Sequence, residues 1–324
     1  MLPLLLLLQA TAPSRLTEFL QQSIGFDAAQ LAAVERGEPV VKVLEAHDRR
    51  DVAVFGIITV PVARDAWVSA ARNFPTSLRT PHRTQLGIFS HPATEQDVAA
   101  VTINSRDVAE MKECRPGDCV VKLPATDMRR IHDQMNWSAP DLQAQLSAYA
   151  RQRMVEYVTD YRTRGDSAMA IYDDRGNLNV HASEAFAAQL AESRFVFQTV
   201  PSLQKYLAGY PHDSLPGASE IIFWSEDVLP HLRPILSVTH LVVYTPPELP
   251  GMTLVVAKQI YANHYFEAAV DLTSAVDRGA GIYLLTLRRY RFDNLPGGIL
   301  NIRGRAIGAL RDELGADLRR QQQR

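Results

Sequence analysis

Two histidines in the last third of the chain lie in apolar surroundings where their rings could do acid–base chemistry. His264 falls within VVAKQIYANHYFEAAVDLT, residues 255–273, and His240 falls within LSVTHLVVY, residues 236–244. Histidine has an ordinary pKa near neutral pH, so either ring could serve as a general base. A ring in apolar company can also be a structural group held by hydrogen bonds, and for each histidine taken alone we expect that role.

Alternation along neighbouring strands predicts that several polar and aromatic side chains share one concave surface. Facing side chains on adjacent strands lie about 5 Å apart, and convergent polar groups in an apolar cleft are the usual form of a small-molecule site. A shift of register by one residue would reverse each assignment. No catalytic residue is assigned. The candidate ligand-binding residues are Trp224, His240, Tyr244, Lys258, His264, Phe266, Arg288 and Tyr290.

Other motifs add little chemistry. Neither histidine has companions at metal-ligand spacing, so we expect no metal site. Asp173 and Asp174 in YDDRGN are typical of a solvated turn. The sequence contains no P-loop, nucleophile elbow or dinucleotide-binding glycine fingerprint, and we expect no cofactor.

The two cysteines, Cys114 and Cys119, are separated by Arg-Pro-Gly-Asp. Pro116-Gly117 favours a turn that brings the sulfurs within bonding distance. We expect a structural disulfide, as is common in exported proteins, with two free thiols as the alternative.

The amino terminus, MLPLLLLLQATAPSRL, has an apolar run followed by the small-x-small residues Ala10-Thr11-Ala12. We interpret residues 1–12 as an export signal and expect a periplasmic protein; the alternative is a buried first helix of a cytoplasmic protein. The run is shorter than the roughly 20 apolar residues of a membrane-spanning helix, so the mature protein is predicted to be soluble.

Composition indicates a folded chain. The 324 residues are 46% hydrophobic and 22% charged. A formal charge of −2 leaves no excess of Lys and Arg for nucleic-acid phosphates. The one basic cluster, LRRYRF at 287–292, would be divided between two faces of a strand.

The element pattern predicts an α+β fold in which residues 13–324 form a single domain. Strand candidates at 38–123 comprise the hairpin of PVVKVLEA and DVAVFGIITVPV, then TQLGIFSH and DCVVKLP after a short helix at 63–74. A helical insertion follows at about 126–212, with a long helix capped by Ser138 and ending at Gly165. An antiparallel meander and a terminal helix occupy about 219–322.

The stretch Met252–Val276 is predicted to be one long strand that bends near Asn263. Its first half would pair with LSVTHLVVY and its second half with IYLLTLRRY, residues 282–290. His264 would then lie near the middle of the strand, on the same face of the sheet as His240.

Two segments carry a resemblance to the START-like, or helix-grip, fold: VFGIITVPVARDAWVSAARNF, and the region from TLVVAKQIYANHYFEAAVDLT through IYLLTLRRYRFDNLPGGILNIRGRAIGALRDEL. The resemblance implies a curved antiparallel sheet that grips the carboxyl-terminal helix around an apolar cavity, where family members hold lipids and other hydrophobic molecules. With CRPGDCVVKL and YVTDYRTRGDSAMAIYDD, the chain also resembles a group of exported bacterial proteins without an assigned activity.

Our leading hypothesis is therefore a non-enzymatic exported protein that binds a hydrophobic small molecule or lipid between the sheet and the terminal helix. One alternative is a cyclase- or hydrolase-like enzyme that uses His264 or His240 as a general base. Another is an interaction or scaffold protein with exposed apolar patches.

Overall fold

A computed structural model describes residues 12–176, 179–229, 232–295 and 301–323. Short 3-10 turns occur at Glu95–Val98 and Gly165–Ala168. The helices of these residues are α1 (Ala12–Gln22), α2 (Ala28–Glu35), α3 (Arg64–Arg72), α4 (Phe74–Ser77), α5 (Ser105–Glu113), α6 (Ala125–Gln134), α7 (Leu142–Arg164), α8 (Ala182–Glu192), α9 (Arg194–Phe197), α10 (Pro201–Gly209) and α11 (Ile302–Gln322).

A large antiparallel sheet combines strands from both ends of the chain. Its order is β1-β2-β10-β9-β8-β7-β6-β3, and a separate two-stranded sheet pairs β4 with β5. The prediction of a mixed fold with a large antiparallel sheet and a carboxyl-terminal helix is confirmed. The strands are β1 (Val40–Leu44), β2 (Asp51–Val60), β3 (Arg83–Ile88), β4 (Ile171–Tyr172), β5 (Val180–His181), β6 (Ser219–Asp227), β7 (Ile235–Tyr244), β8 (Met252–Ala262), β9 (Phe266–Arg278) and β10 (Gly281–Phe292).

Helix α11 covers one face of the sheet. Its leucines at positions 310, 314 and 318 follow one another at the four-residue spacing that places side chains on one helical face. Gly56 of β2 permits a close approach, since a Cβ at this residue would lie 2.7 Å from Leu318 Cδ1. This face of the sheet is therefore filled by direct helix-on-sheet packing. The apolar residues that complete this cluster are Val52, Val54, Ile58, Val60, Ala275, Ile282 and Leu284.

The opposite face of the sheet packs against what we call the helical layer, which comprises α1, α2 and α7–α10. This layer contributes about a third of the largest buried cluster, including Val158 of α7, Phe186 of α8 and Leu203 of α10. The sheet contributes Val242, Val256 and other inward residues of β2 and β6–β10. Both faces are thus buried, which explains why the ten residues of β2 are almost all inaccessible to solvent.

The prediction of one long strand from Met252 to Val276 is wrong. The segment is a hairpin of β8 and β9, in which Met252 lies opposite Val276. The chain reverses at 263–265, where Tyr265 has a φ of 64°. Asn263 is the one ordinary turn residue here, and without Gly or Pro beside it the apolar alternation continues, so the sequence predicted a bend rather than a reversal. The predicted pairing of the first half with β7 and of the second half with β10 is confirmed.

Three further segments differ from expectation. DCVVKLP is not a strand but an irregular segment between α5, which the sequence analysis did not predict, and α6, which begins the predicted helical insertion. The long helix begins at Leu142, preceded by Asp141 rather than capped by Ser138. DCVVKLP does not form a strand because its backbone groups make single hydrogen bonds to separate segments. The Cys119 N–H donates to Asp174 O, and the Lys122 N–H donates to Asn263 O.

The predicted disulfide between Cys114 and Cys119 is confirmed, with the two Cα atoms 4.4 Å apart. Residues 1–11 of the proposed export signal lie outside the described residues, so the signal stays a prediction. None of the helices in the described ranges has the length and apolar character needed to cross a membrane.

Candidate functional site

The structure does not bring the eight candidate residues together. Arg288 and Tyr290 project from β10 toward α11, and Phe266 of β9 packs beside Tyr290 on the same side. His264 lies instead in the turn between β8 and β9. The predicted convergence of His240, His264 and Arg288 is therefore wrong. The convergence fails for two reasons. The chain reverses at 263–265, which removes His264 from the strand. The register of β10 directs the side chains at its even positions toward α11. The four candidates that do face the helical layer are Trp224, His240, Tyr244 and Lys258.

On the α11 side, the candidate residues form structural contacts. The Arg288 guanidinium pairs with Asp317 of α11. The Tyr290 hydroxyl donates to Asp271 Oδ2 at 3.2 Å, and its ring contacts the Phe266 ring with centroids 5.6 Å apart. Burial raises the pKa of Asp271 against the opposing effect of Arg288. The basic cluster is divided as predicted, because the neighbouring Arg289 donates instead to Ser193 Oγ at the end of α8.

The buried His240 is the centre of a hydrogen-bond chain that ends at the exposed carboxylate of Glu220. The Tyr161 hydroxyl lies 3.1 Å from Nδ1, and Nε2 lies 3.2 Å from Glu220 Oε2. Burial lowers the pKa of His240, although Glu220 acts in the opposite direction. The neutral ring satisfies both contacts if Tyr161 donates to Nδ1 and Nε2–H donates to the Glu220 carboxylate. Tyr206 donates to the same carboxylate.

Lys258 lies directly opposite His240 in the register of β7 and β8. Its ammonium group pairs with Asp166 and donates to Leu207 O at 3.1 Å, and it lies 4.1 Å from the centroid of the Phe186 ring. Burial lowers the pKa of Lys258, and the charge of Asp166 opposes this shift. The pair ties the middle of β8 to the end of α7.

Trp224 and Tyr244 also use their polar atoms to hold the fold. Trp224 Nε1 donates to Asp97 O at 2.8 Å, and the Tyr244 hydroxyl lies 3.4 Å from Ser202 Oγ. Both side chains are buried. The four residues on this face are therefore part of a packed core with internal hydrogen bonds.

His264 connects the turn between β8 and β9 to the segment around the disulfide. Its Nδ1 lies 3.2 Å from Val120 O and its Nε2 lies 3.1 Å from Asp107 Oδ2. Both partners are acceptors, so both contacts are satisfied when both ring nitrogens carry a hydrogen. Burial of Asp107 opposes ionisation, but the hydrogen bond and charge of His264 outweigh it and lower the pKa of Asp107. The contacts of His264 with Val120 O and Asp107 hold the turn against α5 and the chain after the disulfide.

A cleft of about 470 Å³ lies elsewhere, between α6, α7 and the ends of β7 and β8. We call it the apolar cleft. Its walls are completed by residues 114–124, which we call the disulfide-linked segment, and by the chain after the 3-10 turn at Gly165–Ala168. The aliphatic and methionine side chains that line it are Ile103, Met111, Val121, Leu123, Ile131, Leu146, Met154, Met169, Ile171, Leu236 and Val238.

Helix α7 forms the main wall of the apolar cleft because of its spacing. Leu146, Tyr149, Ala150, Arg153 and Tyr157 recur at intervals of one to four residues and line the cleft. The apolar stripe of α7 was visible in the sequence and is typical of a helix that packs on a core. The part of the stripe that faces the cleft could not be distinguished from the part that faces the sheet.

The polar groups of the cleft wall are engaged with one another. Arg153 Nε donates to Asp127 Oδ1 at 2.8 Å, and the Tyr149 hydroxyl donates to the same oxygen at 2.8 Å. Burial, followed by the charge of Asp127, raises the pKa of Tyr149. The Tyr157 hydroxyl donates to Ile260 O and accepts a hydrogen bond from the Ala170 N–H.

The aspartates of YDDRGN separate. Asp173 lines the apolar cleft, and its Oδ2 accepts a hydrogen bond from the Ala125 N–H. Asp174 is 4% exposed and lies 3.3 Å from the Lys122 ammonium, so the expectation of a solvated turn is wrong for this residue. Arg175 and Gly176 are exposed as that expectation requires. Sequence reasoning missed Lys122 because its partner is 52 residues away.

Within the described ranges, no cluster of three or more His, Cys, Asp or Glu residues is arranged to hold a metal ion. No protein-family model matches the chain, and no curated protein matches it.

Proposed function

We propose that the protein binds a hydrophobic small molecule in the apolar cleft. The observation that carries this proposal is a cleft of about 470 Å³ lined largely by aliphatic and methionine side chains. Small-molecule sites have volumes of roughly 300–1,000 Å³ and are mostly apolar. Each 100 Å² of apolar ligand surface removed from water would contribute about 2.5 kcal/mol to binding.

The location differs from the sequence-based expectation of a cavity between the sheet and the terminal helix. Leu314 and Leu318 are 1% exposed and fill the space between α11 and β2. The cleft instead lies on the side of the helical layer, where α6 and α7 stand apart around the ends of two strands.

Three methionines support a site that adapts to its ligand. Met111, Met154 and Met169 line the cleft from three different parts of the chain. Methionine is unbranched and its sulfur is polarisable, so it fills irregular gaps and tolerates ligands of different shape.

Export and a START-like relationship are part of the same proposal. A disulfide such as Cys114–Cys119 persists in oxidising compartments, which agrees with export. An antiparallel sheet with a carboxyl-terminal helix packed on one face agrees with a START-like relationship.

Titration with the fluorescent probe N-phenyl-1-naphthylamine tests the function. Ala150 lines the apolar cleft, whereas Ala148 is exposed on the same helix. In Ala150→Trp the indole would occupy the cleft, so we expect saturable binding to the wild-type protein and binding at least about 10-fold weaker to this variant. Ala148→Trp is the matched control and should bind as the wild type does.

The proposal fails if the wild-type protein shows no saturable binding. It also fails if Ala150→Trp, with circular dichroism and a melting temperature like those of the wild type, retains full affinity for the probe.

A further inference from the structure

We infer that the apolar cleft selects an uncharged ligand and discriminates against a molecule of the same apolar body that carries a carboxylate or an ammonium group. This inference rests on the proposed function of the cleft and specifies the ligand class.

The charges around the cleft balance. Three arginines and three aspartates line it. Two arginine–aspartate pairs are in contact: Arg153 with Asp127 at 2.8 Å, and Arg164 with Asp160 at 2.9 Å. The remaining two residues of the set, Arg129 and Asp173, carry opposite charges. A charged ligand therefore meets no excess of the opposite sign.

The polar side chains of the inner wall are already hydrogen-bonded to the protein. The Tyr157 hydroxyl both donates and accepts, as described above, and the Tyr261 hydroxyl donates to Lys122 O at 3.0 Å. Asn263 Oδ1 accepts from the Leu236 N–H at 2.8 Å. A ligand group that sought these atoms would have to displace an existing partner.

Backbone groups of the wall follow the same rule. The Ile103 N–H donates to Ser147 Oγ at 3.0 Å, and Ile103 O accepts from Gln143 Nε2 at 2.8 Å. Five buried side-chain atoms in the described ranges have no hydrogen-bond partner, and none of them belongs to a residue that lines the cleft. These atoms are Trp137 Nε1, Gln189 Oε1, Asp271 Oδ1, Arg288 Nε and Arg289 Nη1.

Selectivity follows from desolvation. A charged group that enters the cleft loses its water and, except at the exposed Arg129, finds partners that are already engaged, which carries a larger cost than for a neutral polar group. The apolar body of the ligand gains the same burial in every case. The cleft therefore distinguishes ligands by the absence of charge.

Competition among three ligands with one apolar body tests this inference. At pH 8, 1-dodecanol below its solubility limit and dodecanoate and dodecyltrimethylammonium below their critical micelle concentrations compete with bound N-phenyl-1-naphthylamine. We expect dodecanol to displace the probe at a concentration lower by on the order of 10-fold or more than either ion requires. If either ion competes as well as dodecanol, the inference is overturned while the proposed function stands. If the probe itself does not bind, the proposed function fails, and the inference fails with it.

A second experiment targets the pair that neutralises the wall. Asp127→Asn keeps a side chain of the same shape and an acceptor for Tyr149, but it removes the negative charge of Asp127 beside the Arg153 guanidinium, whose remaining carboxylate partner is Glu156. Asp160→Asn is the matched control, because the carboxylate of Asp160 is 56% exposed and that of Asp127 is 9% exposed.

We expect Asp127→Asn to improve competition by dodecanoate about 10-fold and to leave dodecanol unchanged, since a charge-assisted hydrogen bond becomes available. Asp160→Asn should change neither value. An unchanged ratio of dodecanoate to dodecanol in Asp127→Asn would overturn the assignment of selectivity to balanced charge.

Discussion

The two faces of the sheet are covered in different ways. On one face, α11 packs its leucines directly onto β2 and its neighbours, and Gly56 lets the helix approach closely. On the other face, the helical layer covers the sheet with several shorter helices and α7, and it buries His240 and Lys258 in the middle. The apolar cleft lies on this second side.

The difference shows how a cleft arises beside a well-packed core. A single helix in contact with a sheet excludes solvent along its length, because one row of side chains fills one groove. Helices that come from separate segments meet the sheet at different places, and α6 is attached to the rest through loops and the disulfide-linked segment. The space between such elements is where small molecules most often bind.

The largest effect should come from Lys258→Met on the face with the helical layer. Removing the ammonium leaves Asp166 without its buried partner, so we expect the free energy of unfolding in urea to fall by about 3–5 kcal/mol. Probe binding should weaken as well, because Asp166 immediately precedes the segment that contributes Ala168 and Met169 to the cleft. Lys258→Met with Asp166→Asn should recover part of the stability. A loss below about 1 kcal/mol would show that the pair is not needed to hold this face.

On the opposite face, Leu314→Ala should be nearly as destabilising but should not affect the cleft. The side chain is 1% exposed and packs against β2, so its truncation should cost about 2–4 kcal/mol in urea unfolding. The exposed Asp312→Ala in the same helix is the control and should change little. Weakened probe binding at 25 °C in a folded Leu314→Ala protein would contradict the separation of the two faces.

Replacing both cysteines by serine should have a smaller effect. The disulfide closes a loop with only four residues between Cys114 and Cys119, so we expect a loss of about 2 kcal/mol, at the low end for disulfides. The same segment supplies Val121 to the cleft and Val120 O to His264, so probe binding should weaken together with stability. A melting temperature equal to that of the wild type would show that the loop is held by its other contacts alone.

The smallest effect concerns pH and compares the wild type with His240→Gln. The pKa of His240 in the folded protein lies below its ordinary value of 6.5 because the ring is buried. As pH falls below about 6.5, the unfolded chain therefore binds more protons at this site than the folded chain does. The free energy of unfolding should fall, by at most about 1.4 kcal/mol per pH unit for this group.

The measurement is the difference between the two proteins in urea unfolding from pH 7.5 to 5. Buried carboxyl groups with a raised pKa, such as Asp271, contribute with the opposite sign in both proteins and cancel in the difference. A difference that does not change with pH would mean that the pKa of His240 is the same in the folded and unfolded chains, and a difference of the opposite sign would mean that folding raises it.

Local patterns predicted the elements well where one face of each is apolar. The β1–β2 hairpin, α3, α8, α10, β6, β7 and β10 all follow from periodicity and turn residues, whereas β8 and β9 were predicted as one strand without the turn between them. The predictions of secondary structure fail where contacts with distant segments, rather than the local pattern, determine the conformation. In the turn at 263–265, the polar Asn263 and His264 are held by α5 and the disulfide-linked segment.

The candidate site was predicted less well, for a related reason. His240 and Lys258 do face one another across β7 and β8, since a period of two places them on one face once the register is known. Their partners Glu220 and Asp166 lie 20 and 92 residues away, and no local pattern predicts such contacts. The cleft depends on how α6 packs beside α7, and the predicted helical insertion at about 126–212 carries no information on that packing.

The sequence by itself determined the β1–β2 hairpin, the strands β6, β7 and β10, the apolar face of α7 and the pairing of the two cysteines, because these properties depend on neighbours within a few residues. Tertiary structure alone decided that β8 and β9 form a hairpin, that α11 closes one face and that an apolar cleft lies beside the other. These outcomes depend on contacts between distant segments, such as the hydrogen bond from Tyr157 to Ile260 across 103 residues, and the energy of such contacts is not encoded in any single stretch of the chain.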